Sequence, residues 1–236
     1  MEKFLTLEET ARCLGMSLKE ASRAIDRAGL KQVYYQCRPC YLRQDILNWL
    51  TREFGSLAAD RLTAAEESNA RSVGMNPEQL LITEKLIHRI VLPSRIGTAS
   101  SMLRTIADEA VKTCTLYDSK ALLNQLKLRE EECSTALRCG VALTHPLDVS
   151  QLYVQRSLLM LFRPPNPLPF GEESGRLTAL FFLMVFPKAN EHLHVLARLN
   201  RMLRKNEFIQ RLLEAPDEDE ILDIVEERER EVLKKL

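Results

Sequence analysis

The chain has 236 residues, 45% hydrophobic and 28% charged, the balance of an ordinary globular protein and enough for one large domain or two smaller ones. Its 33 basic and 33 acidic residues cancel, which excludes a chain-wide polycation drawn to nucleic acid by charge alone. No apolar stretch reaches the ~18 residues of a membrane span. The longest, Leu177–Phe186, is interrupted by Thr178 and reads as a buried strand. The opening MEKFLTLEET carries acids where a signal peptide is apolar, so a cytoplasmic protein with no membrane partner is expected.

In chain order, Thr6-Leu-Glu-Glu9 and Ser17-Leu-Lys-Glu20 are capping boxes. They predict short helices over 7–13 and 18–28, with Gly15 between them and Gly29 ending the second. The β-rich stretch 32–43 predicts a small hairpin turning at Arg38-Pro39, and 44–50 a third helix that packs the only tryptophan, Trp49. Lys19, Arg23 and Arg27 recur every four residues and share one face of the second helix. Ser22 joins them, and the hairpin adds Arg38 and Arg43. Leu18, Ala21, Ala24, Ile25 and Ala28 are expected on its buried side. Residues 1–54 carry nine basic and seven acidic residues, a weak excess for neutralising phosphates. An interaction module with a solvated charged face is therefore the alternative reading.

Cys37 and Cys40 have metal-ligand spacing, but no second CxxC or HxxxH pair completes a four-ligand site. No metal is expected, and the six cysteines read as reduced thiols. Residues 55–79 are alanine-rich and polar, then broken at 72–77, which predicts a linker between a domain over 1–54 and another over 80–232. The second domain reads as α/β. Helices are expected to about 113, to about 131, and at about 190–204, 206–214 and 217–233. Apolar strands are expected at 141–143, 157–162 and 177–186; the lack of alternation suggests cover on both faces. His88 is read as structural, on a helix.

His145 follows the strand at 141–143, where ligands gather in open α/β sheets. His192 lies in the first turn of a helix predicted to start at Asn190. With Leu196, Leu199 and Leu203 it forms an inward stripe, whereas His194, Arg198, Arg201 and Lys205 form a stripe expected in solvent. A helix N-terminus favours the neutral imidazole and a nearby anion. One neutral imidazole attacking phosphorus and a second holding phosphoryl oxygens would suit such a pair.

Two resemblances sharpen these expectations. The segments TLEETARCLGMSLKEASRAIDRAGL and YLRQDILNWL resemble the excisionase-like winged helix-turn-helix of the MerR superfamily, which implies DNA as a partner. The segments over 122–147, 177–203 and 208–225 resemble enzyme IIA of the fructose/mannitol class of the bacterial phosphotransferase system, in particular its nitrogen-regulatory branch. That resemblance implies a three-layer α/β/α domain taking a phosphoryl group on His145 from the histidine phosphocarrier protein, with no cofactor. It carries the second histidine onto His192, the arginine of an Arg-Glu pair onto Arg129, and a Ser-Thr pair onto Ser134 and Thr135. The chain departs from the pattern where Ala136, Leu137, Arg138 and Cys139 replace glycines, and where Thr144, read as a further phosphate contact, replaces a proline. The combined expectation is a phosphorylation-responsive transcription regulator. The alternatives are a phosphocarrier acting by protein contacts and a domain that binds partners unphosphorylated. The C-terminal helix over 217–236 is a candidate element for a homodimer, with only Leu222, Val225 and Leu233 to form its apolar stripe.

Overall fold

The computed structural model describes residues 4–54, 57–171 and 175–234. Gly55 and Ser56 of the expected linker, and the last two residues of the expected C-terminal helix, lie outside them. In chain order the elements are β1 (Phe4–Leu5), α1 (Leu7–Leu14), α2 (Leu18–Ala28), β2 (Gln32–Tyr35), β3 (Arg38–Leu42), α3 (Arg43–Phe54), α4 (Ala59–Val73), α5 (Leu81–Leu86) and β4 (Ile90–Val91). They continue with α6 (Ala99–Lys112), α7 (Ser119–Glu132), β5 (Ala136–Leu137), β6 (Val141–Thr144), β7 (Leu158–Phe162), β8 (Leu180–Val185), α8 (Ala189–Leu203), α9 (Asn206–Glu214) and α10 (Glu218–Leu233). Two compact units result. One takes the N-terminal residues through Gln79 together with Lys188–Arg201; the other takes Leu80–Pro187 and the stretch that begins at Met202.

In the first unit both capping boxes form. Thr6 Oγ accepts from the Glu9 amide and Glu9 returns the bond to the Thr6 amide at 2.7 Å. Ser17 and Glu20 repeat the arrangement. Gly15 ends α1 at φ +60, and a Cβ there would meet the Ala64 backbone of α4 at 2.7 Å, so glycine permits both the turn and the helix contact. β1, β3 and β2 form an antiparallel sheet in that order. Trp49 is buried on α3.

Three expectations for this unit change. The hairpin turns at Gln36-Cys37, whose φ values of +48 and +60 make the two-residue turn that suits strand twist. Arg38-Pro39 instead opens β3, with Pro39 opposite Tyr34, because proline is fixed at negative φ. On α2 only Ala21 and Ile25 are fully buried; Leu18 is 49% exposed and Ala28 also faces water. The stretch read as a linker contains α4, which buries Leu62, Ala65, Glu66, Asn69 and Ala70 and packs on α1. Asn69 Nδ2 ties the two helices by donating to the Cys13 carbonyl at 2.7 Å.

Glu20 faces Arg61 of α4 at 2.7 Å. The Ser17 hydroxyl, then the Arg61 guanidinium, hold its carboxyl down at about 2. A depressed carboxyl contributes stability that is present above its unfolded pKa of about 4.3 and is lost as pH falls through the folded value. The pair is exposed and screened by water, so the expected effect is a small loss of stability between about pH 4 and pH 2, read as a lower urea midpoint in Trp49 fluorescence, that Glu20→Gln removes.

In the second unit, five strands are ordered β4-β7-β8-β6-β5. β6 runs parallel to β8, and β7 antiparallel to it. Every residue of β6, β7 and β8 is buried, as apolar runs without alternation imply. Phe181, Leu183, Val185, Met160 and Phe162 pack with Met102, Ile106, Leu122 and Leu126 of α6 and α7. α5 lies against β7, and α10 against α5, α9 and β4. Glu229 of α10 accepts the Ile82 and Thr83 amides at 2.9 and 2.8 Å and so caps the first turn of α5. Val225 is buried with Ile221 and Ile224 inside the unit, whereas Leu222 and Leu233 of the same expected stripe are half-buried. His88 lies beyond α5 in an exposed turn at φ +56, rather than on a helix.

Candidate functional site

β6 delivers His145 to the carboxyl edge of the sheet, next to the central strand β8. The ring is 4% exposed. Its Nδ1 lies 2.9 Å from the Leu143 carbonyl oxygen. A carbonyl only accepts, so Nδ1 carries the proton and Nε2 the lone pair. That lone pair accepts from Arg129 Nε at 3.0 Å. Arg129, 1% exposed near the end of α7, also donates Nη1 to the Cys133 carbonyl at 2.5 Å. The imidazole is thus held as the neutral tautomer, with a guanidinium at the nitrogen that can act as nucleophile.

The neighbouring loop is pinned from several sides. Ser134 Oγ donates to the Phe170 carbonyl at 3.0 Å and accepts from the Ala136 amide. Gly171, at φ +67, lets the chain pass Ser134, where a Cβ would come within 2.9 Å of the hydroxyl. The Thr135 amide and hydroxyl both donate to the Glu130 carboxylate. Burial pushes the Glu130 carboxyl above its usual range, while the Thr135 bonds and the Arg129 charge pull it back. Ala136 and Leu137, where the resemblance led to an expectation of glycines, form β5 against β6. Gly140 keeps positive φ at the turn between them.

The candidate residues are thus distributed unevenly. His145 and Arg129 meet directly, and Ser134 and Thr135 belong to the loop after α7. Thr144, read as a phosphate contact, spends its buried hydroxyl on the Phe182 carbonyl of β8 at 2.9 Å, because a polar side chain inside the sheet must find an acceptor. His192 lies in the first turn of α8, in the N-terminal unit, and is buried as its apolar stripe implies.

His194, Arg198 and Arg201 were expected in solvent and are buried. Glu66 of α4 supplies the missing charge: it binds Arg198, and Arg201 at 2.6 Å. Arg198 also donates to the Pro77 and Gln79 carbonyls, and His194 Nδ1 to the Glu66 carbonyl at 3.1 Å. Burial holds the His194 imidazole below its ordinary pKa, against the pull of the Glu66 carboxylate. Asn190, expected as the cap of α8, lies within the helix and joins Ser72 and Cys13 by its side chain. The Glu66 cluster and the Glu130–Thr135 bonds escaped the sequence reading. The first had no signal, since Glu66 stands in an alanine-rich run; the second was hinted at by the Arg129-Glu130 adjacency.

On the N-terminal unit, Lys19, Arg23 and Arg27 are exposed on one face of α2, with Arg27 Nε donating to the Arg23 carbonyl. Ser22 is half-buried, Arg38 is exposed, and Arg43 is half-buried at the start of α3. Glu20 is engaged with Ser17 and Arg61.

A mixed α/β unit with a buried histidine–arginine pair at a strand end is the class that the fold and the site define. Over residues 85–228 the sequence matches the family described as phosphoenolpyruvate-dependent sugar phosphotransferase system, EIIA 2, and the chain belongs to that family. It is 29% identical over 155 residues to the fructose-specific EIIABC component of Bacillus subtilis, which spans 63% of this chain and 24% of that one. It thus covers about a quarter of that relative. It is 27% identical over 148 residues to the nitrogen regulatory protein of Bradyrhizobium diazoefficiens, 61% of this chain and 94% of that one. Among solved structures it is similar to nitrogen regulatory protein IIA-Ntr from Neisseria meningitidis, with a TM-score of 0.55, 24% identity, and 61% and 99% of the two chains covered. IIA mannitol from Escherichia coli follows with 0.51, 22%, and 58% and 95%. The N-terminal helices and hairpin precede the matched range. Among the described residues, no helix is long and apolar enough to cross a membrane.

Proposed function

We propose that the chain is a cytoplasmic, phosphorylation-responsive regulator whose EIIA unit accepts a phosphoryl group on His145 from the histidine phosphocarrier protein. The observation that carries this reading is the buried ring with Nδ1–H on the Leu143 carbonyl and Nε2 turned to Arg129. In the transfer, the Nε2 lone pair forms the bond to phosphorus as the bond to the donor nitrogen breaks. Arg129 releases Nε2 and turns its N–H groups to the phosphoryl oxygens, for which a guanidinium fork is suited. The Leu143 carbonyl stabilises the charge that develops on the ring. His192 enters the proposal on the family pattern alone. The test is incubation with phosphoenolpyruvate, enzyme I and the phosphocarrier protein, with wild type beside His145→Ala. Acid-labile label on wild type alone supports the reading, and label on both overturns it.

The second half of the proposal is that α1, α2 and the β2–β3 hairpin form a winged helix-turn-helix that binds DNA. The exposed Lys19, Arg23 and Arg27 face supports it. Replacing all three by Gln is expected to lower the slope of log affinity against log salt by about 2.7, about 0.9 per phosphate contact. A gel shift across salt concentrations reads this directly. The small basic excess of residues 1–54 favours the competing reading, a protein-docking module, and absence of any shift at low salt would select it.

A further inference from the structure

We infer that Glu130 is a positioning residue for His145, acting through Thr135 and Leu143. This rests on the reading of His145 as the phosphoryl acceptor. Arg129 and Glu130 are neighbours at the end of α7 and reach the same imidazole from opposite ends. Arg129 does so directly, at Nε2. Glu130 does so by a continuous chain of hydrogen bonds. Its carboxylate accepts the Thr135 amide at 3.0 and 3.3 Å and the Thr135 hydroxyl. The Thr135 carbonyl accepts the Leu143 amide at 3.0 Å, and the Leu143 carbonyl accepts His145 Nδ1–H at 2.9 Å.

Each residue in this chain is held at its amide or ring N–H and passes the constraint on through its carbonyl. Thr135 stands just before β5, so its bond to Leu143 extends the β5–β6 ladder by one rung. That rung sets where the Leu143 carbonyl points, and the carbonyl sets the tautomer and tilt of the ring. A carboxylate suits the far end because it only accepts, and Thr135 offers it two donors. Glutamine has the same shape, but it has a single acceptor oxygen and an amide that repels one of those donors. Glu130 touches no reacting atom, so its effect is read on the imidazole.

The experiment is ¹⁵N NMR of His145 in the unphosphorylated full-length protein, paired with the initial rate of phosphoryl acceptance. Wild type is expected to show the Nδ1–H tautomer alone. Glu130→Gln is expected to show a mixture, with the rate down about tenfold, an effect of about 1.4 kcal/mol. Thr135→Val, which removes only the hydroxyl, should move both readouts the same way by less, and it serves if Glu130→Gln does not fold. An unchanged tautomer with an unchanged rate in a folded variant overturns the proposal. Failure of wild type to take label strikes the phosphoryl-acceptor reading, and the tautomer measurement still decides the role of Glu130.

Discussion

Glu66→Ala is expected to destabilise the N-terminal unit by about 3–5 kcal/mol, because it leaves buried guanidinium groups without their counter-charge. Arg198 is 0% exposed and Arg201 7%, so neither can turn to water without moving α8. Trp49, the only tryptophan, lies in this unit and reports its unfolding. With a urea slope of 1–3 kcal/mol per molar, the midpoint should fall by about 2 M. Replacing the whole cluster, Glu66→Leu with Arg198→Met and Arg201→Leu, should recover only part of the loss. Buried ion clusters are often replaceable by apolar residues, but here the Pro77 and Gln79 carbonyls would lose their donor. An unchanged Trp49 transition in Glu66→Ala would mean that the cluster does not hold the unit together.

Arg129→Ala is expected to lower the initial rate of phosphoryl acceptance by about 10²–10³, the usual cost of removing a preorganised donor from developing negative charge. Arg129→Lys should restore a minor part of it, since an ammonium is a point charge without the planar fork. The rate with the phosphorylated phosphocarrier protein in excess measures both. A loss of less than threefold in Arg129→Ala would remove the guanidinium from the transfer step. Because Arg129 also ties the end of α7 to the Cys133 carbonyl, circular dichroism of each variant separates a lost fold from a lost charge.

Much of this architecture could be read from local chemistry. The bounds of α2 follow from Ser17, Glu20 and Gly29, which form the cap at each end. The burial of β8 follows from six apolar residues without alternation. The placement of His145 follows from the end of β6. What escaped the sequence reading depended on partners distant in the chain. The Arg198 and Arg201 stripe looks solvated until Glu66, more than 130 positions earlier, is brought against it. α4 looks like a linker because its packing face, Leu62, Ala65, Glu66, Asn69 and Ala70, holds a single large apolar residue. The hairpin misled for another reason: proline is the usual turn former, whereas Gln36 and Cys37 reach positive φ without glycine or asparagine. Thr144 marks the limit of reasoning by neighbourhood. It stands beside His145 in sequence, yet its hydroxyl points into the sheet.

NMR of the phosphorylated full-length protein decides whether His145 takes the phosphoryl group on the nitrogen that faces Arg129, as proposed. Nδ1 is committed as a donor to Leu143, so a single phosphohistidine is expected at position 145, with phosphorus on Nε2. Phosphorus on Nδ1, on any other residue, or nowhere after treatment with the complete donor system would contradict it.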